Sequence, residues 1–185
     1  MKNKTLINKL KDNAELAMAA YGYFHLIGKK IENDREKYGD KADKPITLHD
    51  ILDSTYKGYV TSDHTTLINP EELDGDFSPT QTQRFFERYD LLKHCPNTDS
   101  GFSATLFREK RKQRNTESKE ISYTSEYGYI NYILAIRGTE PLNRGDIGAD
   151  TSLILRNLPK KQHLDMLLFY NQCNKKYSFL CRKRF

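Results

Sequence analysis

The sequence has few cysteines, no long apolar run and no dominant sign of charge. Its three cysteines, Cys95, Cys173 and Cys181, are odd in number and lack the paired spacing of a metal site. That fits reduced thiols and residence in the cytoplasm. No stretch approaches the ~18 consecutive apolar residues of a membrane span. The opening, MKNKTLINKLKDN, has lysines but no apolar segment behind them, so no cleaved secretory signal is expected. Hydrophobic residues make up only 37% of the 185 positions, against 30% charged. Such a polar chain has long solvated loops or a core in short supply. Thirty basic and twenty-five acidic side chains leave +5. Both signs are mixed along the chain, which argues against a dedicated nucleic-acid binder. There is no internal repeat and no low-complexity tract.

What remains is enough for one domain with a real core. Leu6, Leu10, Ala14, Ala17, Tyr21 and Phe24 recur at steps of three and four, which predicts that the first 35 residues form a helix. Thr47 is placed to cap a short helix from Leu48, with Asp50 near its positive end. Residues 57–77 carry Gly, Asp, Thr and Pro without a period and read as an irregular connection. Ser78-Pro79 offers a cap and a first-turn proline for a helix with Phe85, Phe86, Tyr89 and Leu92 on its buried face, ended by Pro96.

The pattern then changes. GFSATLF at 101–107 is strand-like, and REKRKQRNTESKE at 108–120 reads as a charged hairpin excursion. YINYILAIR at 129–137 is the strongest strand signal, apolar on both faces as an interior strand of a covered sheet would be. Asp146 can cap a helix carrying Ala149, Leu153 and Leu155, and a last helix runs through 164–170, apolar or aromatic except at Asp165. The predicted order is a helical part over 1–97, then strand, strand, helix, helix over 98–185. This is an α/β chain whose sheet is incomplete.

One place stands out for chemistry. Where the second strand ends, Gly138 lets the chain turn without a Cβ clash, and Thr139 can present its backbone N–H and hydroxyl to a developing oxyanion. The plainer account is a tight strand-to-loop turn. The histidines (His25, His49, His64, His94, His163) sit near no Ser or Cys in a recognisable setting, and His94-Cys95 lacks the further ligands a zinc site needs. No metal and no cofactor are expected. The basic runs at 108–114 and 182–184 can touch phosphate groups, although a solvated hairpin tip explains the first.

The stretch GFSATLF, YILAIRGTEP, DIGADTSLIL and QHLDMLLFYNQ resembles the N-terminal half of bacterial members of the class three lipase family, of α/β-hydrolase fold, and the segment ending AAYGYF is similar to that family's opening. The resemblance implies that Arg137, Gly138 and Thr139 form the family's Arg-Gly-Thr strand end, with Thr139 as one oxyanion-hole donor. It implies that Asp146 and Asp150 are the structural pair leading into the next helix. Relatives continue into G-x-S-x-G, the elbow that holds the nucleophilic serine, and then to the catalytic Asp and His. No G-x-S-x-G occurs in these 185 residues, and the nearest look-alike puts Ser103 inside a predicted strand.

The expectation is therefore an incomplete hydrolase-like sheet truncated before the nucleophile elbow. It would be a single partial lipase-like domain, inactive alone. A lipid or ester substrate would be taken only if a complementary C-terminal fragment completed it. The alternative is a small non-enzymatic interaction module built on the half domain, with the last helix and strand 129–137 as its interface. Neither reading includes a specific nucleic-acid partner or a transmembrane segment.

Overall fold

The computed structural model describes residues 2–62, 71–116, 119–138 and 159–177. The chain divides into two compact units, Met1–Glu87 and Arg88–Phe185.

The first unit is helical at its ends and irregular between them. Helix α1 spans Lys2–Ala19 and packs through Leu16 and Ala19, with Ala20 just beyond its end, rather than through the Leu6–Leu10–Ala14–Ala17 stripe, which stays exposed. Helix α2 is a single turn, Arg35–Tyr38, capped by Asp34, whose side chain accepts from the Lys37 N–H. Thr47 does cap, but a turn rather than a helix. The Asp50 N–H donates to Thr47 Oγ1 at 3.3 Å and the Thr47 N–H to Asp50 Oδ2 at 2.9 Å, with both Asp50 oxygens 2.8 Å from Lys41 Nζ. The box closes, yet the chain leaves for Phe77: the Phe77 N–H donates to Leu52 O, and the Ser54 N–H to Phe77 O. The connection at 57–77 is tied down where it is described, by isolated bridges at Asp53–Phe77 and Val60–Glu72. Helix α3, Pro79–Arg88, begins as its sequence predicts, with Ser78 Oγ accepting from the Gln81 N–H. Its buried Phe85 lies edge-on to Phe77 and Phe86, which centres the unit's core.

Helix α3 stops at Arg88. Tyr89–Cys95 is strand β1, not the last two turns of a helix. Tyr89 and Leu92 fit a helical step, but Tyr89, Leu91, His94 and Cys95 find antiparallel partners in Glu109, Phe107, Thr105 and Ala104. The long-range ladder overrides local periodicity. Strand β2, Ala104–Arg114, runs through the charged segment expected to be a hairpin tip. Strand β3, Ile121–Ile136, returns antiparallel to β2. Four residues of β3 (125–128) loop out where the register jumps from Lys110–Tyr129 to Arg111–Thr124, a wide bulge in which Gly128 takes φ +79°. The sheet order is β1-β2-β3. The apolar run 129–137 thus lies mostly on an edge strand of the described sheet, not an interior one, and Ile130, Tyr132 and Ile136 are exposed.

Helix α4, Lys160–Tyr177, covers one face of the sheet. Met166, Phe169, Cys173 and Tyr177, at steps of three and four, meet Phe102, Ala104 and Leu106. Only one side of the helix is so covered, and Leu164, Leu167 and Leu168 stay exposed. The architecture is mixed α/β, with a small antiparallel sheet.

Candidate functional site

The strand end singled out by sequence is the natural place to begin. The β2–β3 ladder continues one residue beyond β3: the Arg137 N–H donates to Ser103 O at 3.0 Å. Arg137 is buried there, and Gly138, next along the chain, is exposed. Thr139, Asp146 and Asp150 lie outside the described residues. Arg137 and Gly138 therefore stand together where the chain leaves the sheet.

Ser103, the look-alike nucleophile, is a strap. It precedes β2, is buried, and its hydroxyl donates to Cys95 O at 2.9 Å while its carbonyl accepts from Arg137. A hydroxyl so held and so buried meets no acyl carbon. His94 Nδ1 and Thr105 Oγ1 are 2.9 Å apart across the β1–β2 pair, the spacing of a base and a hydroxyl nucleophile, yet Thr105 has no exposed surface. His25 faces Glu71 at 3.2 Å, His49 lies against the Phe86 ring, and His163 is exposed. His64 lies outside the described residues. The thiols of Cys95 and Cys173 are both pushed up by burial, and the Asp165 charge adds to the effect at Cys95. Protonated thiols are poor nucleophiles.

Two polar clusters escaped the sequence reading. Asp165 Oδ2 accepts from Thr98 Oγ1 at 2.8 Å and from Ser100 Oγ at 2.6 Å, which ties α4 to the β1–β2 turn. The one signal was a lone acid in an otherwise apolar helical run. On the sheet, Asp90 accepts from Tyr129 Oη at 2.7 Å and pairs with Lys110 Nζ at 2.9 Å, while the Arg108 guanidinium lies 4.2 Å from the Tyr129 ring centre. Burial, then the bond to Asp90, pushes the Tyr129 phenol up. These charges are matched within the sheet, which explains why the segment beginning at Arg108 forms a strand. Sequence alone does not show this, because the local period of Tyr89 and Leu92 places Asp90 in a helix.

Among the described residues, no three His, Cys, Asp or Glu side chains are grouped to hold a metal ion, and no helix is long and apolar enough to cross a membrane. Comparison of the chain with protein-family models, with curated proteins and with solved structures returns no match.

Proposed function

We propose that this chain carries the oxyanion side of a lipase-like carboxylic ester hydrolase, on a hydrolase-type sheet, with the nucleophile, Asp and His supplied by residues outside this sequence. The observation that carries the reading is the strand end. The β2–β3 ladder closes on Arg137, and Gly138 emerges at the surface immediately before Thr139. In ester cleavage the attacking oxygen turns the carbonyl oxygen into an oxyanion, which needs N–H or O–H donors already in place. Thr139 supplies such a donor by resemblance, and the same resemblance assigns Asp146 and Asp150 a structural role. Without an attacking side chain, one donor cannot sustain turnover, because triad and oxyanion hole act as a unit. The substrate is a lipid or other carboxylic ester, and the working partner is a complementary fragment that adds strands. The free thiols Cys95 and Cys173 support a cytoplasmic setting.

The test is hydrolysis of p-nitrophenyl esters by the purified 185-residue chain, alone and with the polypeptide encoded immediately downstream. We expect no turnover above buffer alone. In the completed enzyme we expect activity that falls by about a hundredfold or more when the donor at position 139 is removed. Turnover by the chain alone, abolished by changing one of its own side chains, would overturn the reading.

The second reading, a non-enzymatic interaction module, draws on the exposed Leu164, Leu167 and Leu168 of α4 and Ile130 and Ile136 of β3. A monomeric, cooperatively melting chain that stays inactive with any downstream polypeptide would favour it.

A further inference from the structure

Helix α1 has two apolar faces and uses only one. Leu16 and Ala19, followed by Ala20, pack against the first unit. On the opposite side Leu6, Ile7, Leu10, Ala14, Ala17 and Met18 fall within about a third of the circumference at 3.6 residues per turn. All six are exposed, Leu6 at 59%, Ile7 at 64% and Leu10 at 61%. Every residue from 3 to 11 is exposed, so that part of the helix is little covered by the rest of the unit. An isolated segment of this length is marginal in water and is stabilised only when something covers its apolar side.

The flanking charge says what covers it. Lys4 and Lys11 border the apolar face on one side, and Lys9 lies about 60° beyond Leu6 on the other, all exposed. The helix's acids, Asp12 and Glu15, lie toward the packed side, where Glu15 is 3.9 Å from Lys11. A broad face, apolar but for Asn3, edged closely by lysines on one side and free of acids, is complementary to a bilayer surface carrying anionic headgroups. The apolar side chains enter the acyl boundary and the lysine stems reach up to phosphate. A second copy of the same face is a poor occupant, since a two-fold pairing would bring lysines against lysines.

We propose that the outer face of α1 binds anionic lipid surfaces, lying in the interfacial plane rather than crossing it. This inference stands on α1 alone, so it succeeds or fails independently of the ester-hydrolase reading.

The experiment uses the full chain and sedimented vesicles of phosphatidylcholine, with or without phosphatidylglycerol. We expect pelleting with the anionic vesicles, little with the neutral ones, and weakening as salt is raised. The triple variant Leu6→Gln, Ile7→Gln, Leu10→Gln keeps good helix formers at exposed positions. It should lower the vesicle partition coefficient by about tenfold or more. Lys4→Gln with Lys11→Gln should lower it for anionic vesicles only. Circular dichroism and the melting temperature of each variant check that the fold survives. Equal pelleting of wild type and triple variant would overturn the proposal. So would no pelleting at all, or self-association by analytical ultracentrifugation that the triple variant abolishes while vesicle binding persists.

Discussion

A Cβ atom added at Gly75 would press into the carbonyl carbon of Leu52 and lie 2.6 Å from its oxygen. Real Cβ atoms do not approach backbone so closely, and this backbone cannot easily yield. Leu52 O accepts from the Phe77 N–H and Phe77 O from the Ser54 N–H, both at 2.8 Å, and Phe77 is buried against Phe85. Gly75→Ala should therefore pry the 53–77 bridge apart and destabilise the protein by about 1–3 kcal/mol, the usual cost of overpacking. Urea unfolding checks this, and an unchanged midpoint would refute it. In the sequence, Asp74-Gly75-Asp76 looks like any turn. The close approach depends on Leu52, far back along the chain, and no local pattern announces it. Asp165 is the converse case. Its oddness was visible in an apolar helical run, but its hydroxyl partners were not, since Thr98 and Ser100 reach it only after the sheet folds.

At the scale of elements, α4 is held by a narrow set of side chains. Phe169 is buried, its ring centre 6.2 Å from that of Phe102 and 5.3 Å from Lys93 Nζ. Removing it empties the middle of the helix–sheet contact, so Phe169→Ala should cost about 3–5 kcal/mol. Leu168→Ala, one residue away but 51% exposed, should stay within about 0.5 kcal/mol. Equal losses in thermal melts of the two variants would show that α4 does not dock through the Phe169 face. The last helix was legible as a helix, but its run at 164–170 is apolar nearly all round, and only the folded sheet singles out Met166, Phe169 and Cys173 as the docked face. The start of α3 was legible too, through the Ser78-Pro79 cap. The strands were harder. Tyr89 and Leu92 satisfy a helical period, and only their pairing with β2 decides between the two. The charged residues at the start of REKRKQR looked solvated, yet Arg108, Glu109 and Lys110 are matched by Asp90, Arg88 and Asn131 on neighbouring backbone. Of the proposed site, the strand end beside Arg137 was readable, because the apolar run stops there.

For the whole molecule, the balance of charge sets how the fold responds to acid. At neutral pH the chain carries +5, and neutralising any of its 25 carboxylates makes it more positive, which adds self-repulsion to the compact state. Specific pairs act in the same direction. Burial pushes the Glu71 carboxyl up, but Lys29 at 2.6 Å and His25 more than offset this, and the group ends below its ordinary value of 4.5. Asp43 is held below 3.8 by its bond to Lys30 at 2.9 Å. A carboxylate whose folded pKa is depressed contributes stability above its unfolded value and loses it as pH falls through the folded one. Neither group contributes any change between pH 8 and 6. Below about pH 5 the unfolded chain takes up protons that the folded chain still refuses, and stability must decline. Both pairs are largely exposed, so the decline should be gradual and smaller in high salt. Melting temperatures at pH 7, 5, 4 and 3 should be ordered accordingly, with Glu71→Gln removing part of the slope. A melting temperature that is flat or rising from pH 5 to 3 would mean that these carboxylates do not stabilise the fold.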